Sequence, residues 1–417
     1  MTTISDTGLT LEDVDLANHD NFVERVPHEM FTLLRREDPV HWQPEPDGPG
    51  FWCITRYDDI NDVHRDWETF SSELGGTSLQ DLQPDEIEAR KSMIDMDPPR
   101  HNQLRALIGK GFTPRAVRKY EEAIQALFAR LLDETLPKGE LDWVAEVTAE
   151  LPMRVFAEML GAPQEDRRYL VDLGDRMLGN TDPEFATPEE LERYRHLPFS
   201  SPAALEMFAY GQKLAAQRRA EPRDDIITKL VTAEIDGEPL TQREFDVYFI
   251  LLATAGNETT RHSMSHGTLA LMEHPDQMEL LRREPELMAT AAEEILRWAT
   301  PVHHFRRTAT RDVQFAGKLI RRGDKVVTWF TSGNRDEDQF DEPQRFDVTR
   351  SPNPHMTFGP GGVHFCMGAH LARLELRIFF DELLKRVDTI ECTAPPERLR
   401  SNFFNGVKRM PVRVQLR

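Results

Sequence analysis

Cys366 stands in the run Phe358-Gly-Pro-Gly-Gly-Val-His-Phe-Cys-Met-Gly368, framed by four glycines. The thiolate is the form of cysteine that ligates metals. Glycines permit the left-handed and close-approach backbone that a tight ligand loop needs. A helical pattern follows, roughly residues 369–384. It would aim its free N–H groups and positive dipole end at the sulfur, which favours the ionised form. A haem iron held by such a thiolate is pushed toward cleaving the O–O bond of dioxygen, which is monooxygenase chemistry. The plainer reading is an inert small hydrophobe. That reading suits Cys53, in the strand-like run Phe51-Trp-Cys-Ile-Thr55, and Cys392, in a turn-rich stretch.

A second candidate lies in the apolar segment 241–274, read as one long helix. Residues 245–255 are almost continuously apolar, the pattern of a helix buried on all sides. It is interrupted by Ala255-Gly-Asn-Glu-Thr-Thr260. Gly256 costs about 1 kcal/mol inside a helix, and Glu258 is expensive to bury without a partner. Thr259 can bond back to the preceding turn and bend the helix. One reading is a kink with a solvated polar end. The other is an oxygen-binding groove, with Thr259 holding the oxygen and Glu258 feeding it protons.

Other charged residues gain meaning only as a set. Glu294 and Arg297 share a helix face, as many surface pairs do, and Arg345 could complete a buried triad with them. His101 and Arg105 are one turn apart, Arg306 and Arg307 follow the Glu294 helix, and His364 sits two residues before Cys366. His101, Arg105, Arg307 and His364 are donors that could hold two carboxylates of a bound group.

The chain has 417 residues, 51 Lys and Arg against 72 Asp and Glu, a net charge of −21, and 3 cysteines. This excludes a small disulfide-stapled module and argues against nonspecific nucleic-acid binding or adsorption to anionic membranes. No run is long and apolar enough to span a bilayer, and the N-terminus lacks the order of a signal peptide. A cytoplasmic location is expected. Helices are predicted over 100–111, 114–137, 142–160, 165–178, 203–219, 241–274, 275–283 and 285–299. Residues 71–96 read as a long irregular loop and 180–202 as a mobile connection. The β-rich portion is expected at roughly 40–70, 305–330 and 386–417, within a single domain over 1–417. The fold class is mainly α: a large helical core with a long central helix and a smaller β-rich region.

Five runs occur in order: Met96-Asp-Pro-Pro-Arg-His-Asn-Gln-Leu-Arg105, Ala255-Gly-Asn-Glu-Thr259, Glu294-Ile-Leu-Arg297, Pro343-Gln-Arg-Phe346 and the Cys366 loop. Together they resemble the cytochrome P450 family, over nearly the whole chain. The resemblance implies that Cys366 is the iron ligand of haem b (iron protoporphyrin IX). Phe358, Gly359, Gly368 and Ala255 would lie against the haem, and His101, Arg105, Arg307 and His364 would hold its propionates. Glu258 and Thr259 would be the acid–alcohol pair that protonates dioxygen, and Glu294, Arg297 and Arg345 a structural triad. The Phe358–Cys366 spacing is one residue longer than the family's usual. With Asn353-Pro-His355 before it, and the runs Gly179-Asn-Thr-Asp-Pro-Glu-Phe185 and Glu397-Arg-Leu-Arg-Ser-Asn402, this resembles a bacterial branch that oxidises steroid side chains and methyl-branched lipids. Monoterpene and alkane hydroxylases share parts of the pattern.

An apolar pocket is expected from Ile250, Ala253, Thr254, Val302, Phe305, Phe403 and Phe404, with the 71–96 and 178–202 segments. His303 and His304 read either as exposed loop histidines or as partners for a polar substrate group. No Gly-x-Gly-x-x-Gly fingerprint follows a strand. Electrons are therefore expected from a small ferredoxin and its reductase, docked on a basic patch of Arg105, Lys110, Arg115 and Arg373. Two other readings are a haem-thiolate sensor without turnover and a peroxide-driven hydroxylase. The acid–alcohol pair favours the oxygen-dependent enzyme.

Overall fold

The structure is a computed structural model describing residues 8–46 and 48–417. Its centre is the apolar segment, which forms two helices, Gln242–Ala255 and Glu258–Glu273. Thr241 and Glu244 cap the first reciprocally, side chain to backbone N–H in both directions. Phe245 to Ile250 and Leu252 to Thr254 are buried. The single long helix expected here is broken at Gly256-Asn257. Hydroxyls of this stretch bond back to carbonyls one turn earlier, Thr254 to Ile250 and Thr259 to Ala255, both at 2.9 Å. Gly256 lies against Phe156, where a Cβ would come within 3.0 Å of the ring.

Other helices pack around this pair. Glu121–Thr135 and Ala369–Arg386 meet through Phe128 and Phe379, ring centroids 6.5 Å apart. Trp143 packs on Phe379 and donates to Thr268 at 3.1 Å. The helices Arg167–Leu178 and Ala203–Ala220 pack on each other and on the central pair. Among the described residues no helix is long and apolar enough to cross a membrane.

Strands occur in each of the three expected regions and also outside them, at Glu140–Asp142, Glu234–Ile235 and Glu238–Pro239. The main sheet has the order Val40–Gln43, Phe51–Ile54, Lys325–Trp329, His304–Ala309, Phe70–Ser71, with only the second and third parallel. A smaller sheet orders Val387–Cys392, Pro411–Leu416 and Glu140–Asp142. That last strand corrects the helix expected over 142–160. Asp142 accepts from the N–H groups of Val144 and Ala145 and opens a π-turn at Val144–Thr148, so the regular helix is only Glu150–Leu160. The loop expected at 71–96 contains the helix Pro84–Arg90, and the connection 180–202 contains Pro188–Arg193. Tyr57–Arg65 and Ile226–Val231 are further short helices that the apolar periodicity did not indicate.

Beneath the Cys366 loop lies an irregular stretch, 334–358, gathered around one ion pair. Glu294 and Arg297 are both fully buried and bond twice at 2.8 Å, so they are not the surface pair their spacing also allowed. Arg297 donates further to the carbonyls of Asn334, Pro343 and Arg345, and Glu294 accepts from the Asp347 N–H and the Asn353 amide. The expected third member is not Arg345. Its side chain is exposed and pairs with Glu342 at 3.0 Å. Only its backbone joins the cluster, and Arg350 reaches Glu294 instead, at 3.2 Å.

The N-terminal segment, residues 301–304 and the C-terminal turn 398–407 are joined through buried histidines. His19 Nδ1 accepts from the Asn402 N–H, and His262 Nδ1 from the Val407 N–H. His266 bonds the Asn405 carbonyl at 2.9 Å. Burial of the charged form pulls His19 down to about 4 and His266 and His304 to about 3, with His28, His262 and His303 also held neutral.

Two outcomes follow. Unfolding frees these histidines to take up protons near their ordinary value of 6.5, so the unfolded chain binds more protons and stability falls as pH drops below about 6.5. Urea midpoints should therefore decrease progressively between pH 7 and pH 5, and a flat profile would contradict the neutral assignment. Second, Arg297→Met should cost about 3–5 kcal/mol by stranding Glu294, whereas Arg345→Ala should leave the denaturation midpoint unchanged.

Candidate functional site

The Cys366 loop is shaped by three left-handed glycines, Gly359, Gly361 and Gly362, with φ of 83°, 110° and 76°. At Gly362 a Cβ would also meet the His64 carbonyl at 2.6 Å, so only glycine fits there. The Cys366 N–H donates to the Phe358 carbonyl at 2.8 Å, closing the loop. The Phe358 ring is covered by the Arg373 guanidinium at 4.5 Å. Gly368 caps the helix Ala369–Arg386. Cys366 is accessible. Burial pushes its thiol up, while the N–H groups of Gly368 and Ala369 and the charges of Arg105 and Arg373 favour the thiolate. Among the described residues no group of three or more His, Cys, Asp or Glu side chains could hold a metal ion. Cys366 could thus ligate only a metal that brings its other ligands with it.

The expected donors converge. The rings of His101 and His364 lie 4.4 Å apart. His364 bonds Ser72 at 3.1 Å, and Arg105 and Arg307 are close enough to disfavour its protonation, after burial the largest causes along with His101. Arg307 bonds His64 at 3.3 Å and the Arg306 carbonyl at 2.8 Å. It is buried without an ion-pair partner among the described residues, and burial pulls it down to about 10. The charges of Asp97 and Asp95 act on it without an ion-pair contact, and an iron porphyrin's carboxylates would offset the cost of its burial more fully. His64 and Ser72 had no sequence signal: they lie on a short helix and a loop with no motif around them. Of the expected basic patch, Lys110 and Arg115 are exposed, while Arg373 is occupied by Glu293 at 2.7 and 2.9 Å.

Glu258 opens the second central helix and is 1 % exposed. Oε1 accepts from Asn257 at 2.8 Å and Oε2 from Arg261, with His262 Nε2 3.7 Å away. Burial pushes the carboxyl up against the pull of Arg261, which favours its protonated form. Thr259 is half-buried and Ala255 accessible in the middle of an otherwise buried segment. Arg261 was legible in principle, three residues beyond Glu258 on one helix face.

The expected pocket residues divide. Ile250, Ala253 and Thr254 are buried, and the Thr254 hydroxyl is satisfied within its helix. Val302 pairs with Phe404 in an isolated bridge, and both join a cluster with Leu178, Phe185, Phe199, Leu399 and Phe403. Phe305 packs on Phe403 at 5.7 Å. His303 does not belong with them: its ring bonds Thr331 at 2.6 Å and packs on Phe22 in the N-terminal cluster. His304 lies buried between Trp329 and Phe403, with neither ring nitrogen bonded. Neither is an exposed loop histidine, because strand His304–Ala309 is covered by the N-terminal segment.

The cytochrome P450 family profile matches residues 22–416. The steroid C26-monooxygenase of Rhodococcus jostii is 38 % identical over 411 residues, covering 96 % of this chain and 84 % of that protein. The methyl-branched lipid omega-hydroxylase of Mycobacterium bovis is 38 % identical over 414 residues, covering 96 % and 95 %. The structure of Mycobacterium marinum cytochrome P450 CYP268A2 in complex with pseudoionone superposes with a TM-score of 0.86 at 41 % identity, over 93 % of this chain and 94 % of that one. The glycine-framed cysteine, the broken central helix and the buried Glu294–Arg297 pair therefore sit in a fold these proteins share, and the chain belongs to the cytochrome P450 family of haem-thiolate monooxygenases.

Proposed function

We propose that this monooxygenase hydroxylates the terminal methyl of a steroid side chain or methyl-branched lipid, with Cys366 ligating haem b and electrons supplied by a ferredoxin and its reductase. The observation that supports the haem assignment is the accessible Cys366 in its glycine loop, together with a buried Arg307 that makes no ion pair among the described residues. His101, Arg105, Arg307 and His364 would hold the propionates. Phe358, Gly359, Gly368 and Ala255 would pack against the ring. When bound, the haem supplies the activation of dioxygen, one atom of which enters a C–H bond while the other leaves as water.

This chain's own residues move the protons. Burial favours the protonated form of Glu258, which adjoins Thr259 in the chain, and the Thr259 hydroxyl can pass a proton onward. Ile250, Ala253, Thr254, Val302, Phe305, Phe403 and Phe404 exclude water and orient an apolar substrate. The substrate reading rests on the two relatives named for terminal oxidation. A terpenoid is the second reading, favoured by the relative bound to pseudoionone.

Titrating purified holoenzyme with a sterol ketone, a methyl-branched fatty acid and a monoterpene alcohol should shift the main haem absorption band with the first two. A shift with the terpene alone would replace this substrate assignment by the terpenoid one. Thr259→Ala should lower product formed per oxygen consumed by on the order of tenfold, with peroxide released instead. Unchanged coupling would remove the proton-delivery role of the Glu258–Thr259 pair. Cys366→Ser should abolish the thiolate absorption signature and turnover together.

A further inference from the structure

Residues 71–96 and 180–202 meet at one arginine. Arg90, the last residue of the helix Pro84–Arg90, donates from Nη1 to the Gln80 side chain at 2.9 Å and to the Arg195 carbonyl at 3.2 Å. The same Gln80 oxygen, Oε1, accepts from the Ser200 hydroxyl at 3.2 Å, and the Gln80 backbone carbonyl accepts from Arg306 at 3.2 Å. Ser200 follows Phe199, whose ring packs on the apolar cluster of Leu178, Leu399 and Phe404. Phe199 and Ser200 both take left-handed backbone, with φ of 56° and 49°, which residues other than glycine adopt at a cost. Strain of this kind is kept where a chain must clamp a ligand.

Arg90 makes no ion pair among the described residues. The carboxylates whose charge reaches it, Asp95 and Glu86, are occupied elsewhere. Asp95 accepts from Thr77 at 2.8 Å and Ser92 at 2.9 Å, and Glu86 from Arg195 at 3.0 Å and the Gln83 N–H at 2.7 Å. Arg195 also reaches Glu192 at 3.3 Å, and Lys91 reaches Glu73 at 2.7 Å. Burial pulls Arg90 down to about 10, and the like charge of Arg195 adds to that pull. Its Nε and Nη2 make no hydrogen bond among the described residues, and neither is sealed from access. These two nitrogens form one side of the guanidinium fork, the side whose spacing matches the two oxygens of a carboxylate.

We infer that Arg90 is a specificity-determining residue that binds the carboxylate of an open-chain lipid acid through Nε and Nη2, with the chain running beneath Phe199 into the apolar cluster. This rests on the terminal-hydroxylation reading and narrows it to acids. Phe199 and Phe403 pack on the same cluster, and Phe403 packs on Phe305 at 5.7 Å. Phe305 and Arg307, two residues apart on one strand, share a face. The apolar path thus leads from Arg90 at one end to the Arg307 donors at the other. A lipid that presents its terminal methyl on the haem side has its polar end beside Arg90. A sterol ketone carries no charge and leaves the buried guanidinium unanswered, whereas a fatty carboxylate answers it.

The test is a titration of the ferric holoenzyme with a methyl-branched fatty acid and with its methyl ester, read at the main haem absorption band, together with the position of the hydroxyl in the products. The wild-type protein should bind the acid about tenfold more tightly than the ester, the size of a charge-assisted hydrogen bond, and this comparison needs no variant to fold. Arg90→Gln should erase the difference and spread hydroxylation inward from the terminal methyl. Arg90→Lys should retain a preference for the acid. Equal binding of acid and ester by the wild-type protein, or an acid preference that survives in Arg90→Gln, overturns this inference, while product hydroxylated at the terminal methyl keeps the function standing. A band shift with a sterol ketone and with neither lipid probe also overturns it and leaves the steroid form of the function. Products hydroxylated only away from the chain end overturn the function, and this inference with it.

Discussion

The buried ion pair of Glu294 and Arg297 is the constraint on which the ligand side of this molecule depends. A guanidinium carries five N–H donors, and Arg297 makes five bonds, two to Glu294 and one each to the carbonyls of Asn334, Pro343 and Arg345. A buried pair gives little net stability, because desolvation offsets attraction. What it gives here is geometry. Residues 334–358 have no helix or strand of their own to satisfy their carbonyls, and the pair gathers them at one point. From there Asn334 holds the Met356 N–H at 2.8 Å, and Thr357 bonds the Leu296 carbonyl at 2.9 Å. The Cys366 loop begins immediately after.

The oxygen side uses the opposite device, a helix that is not completed. An apolar helix would place no polar group where protons are needed. The break at Gly256-Asn257 puts the Glu258 carboxylate inside the core at the start of the second helix, and the Thr259 hydroxyl bonds the Ala255 carbonyl across the break. Burial then does the chemical tuning, since it alone is the largest cause holding Glu258 protonated. Local rules are broken at the position where chemistry requires it, and the regular helices on either side carry the cost.

Much of this was legible because the motif residues stand in the types and order that resemble the cytochrome P450 family. Cys366, Arg307 and Glu294 could be found by type and spacing. Arg345 was misplaced by one irregular stretch: in a loop without period, spacing does not say which arginine turns inward, and Arg350 does. His303 was misplaced for a related reason. Alternation along a strand says that neighbours face opposite ways, but not which face meets the pocket until the N-terminal segment is seen covering one of them. The short helices at 57–65, 84–90, 188–193 and 226–231 fell below the length at which apolar periodicity is a signal.

Arg306 and Arg307 show how structural and functional charges can be told apart. They are adjacent on one strand, both buried, and both lose part of their proton affinity to that burial. The pleat turns them to opposite faces. Arg306 meets Asp81 at 3.2 Å and the Gln80 carbonyl, so its charge is answered from within the chain. Arg307 meets a neutral histidine and a carbonyl. Sequence type, burial and element are the same for both, and only the accounting of charge separates them. Arg307 has only the more distant charges of Asp97 and Asp95 to set against its burial, and the proposed haem would bring its carboxylates to the side where His101, His364 and Arg105 gather.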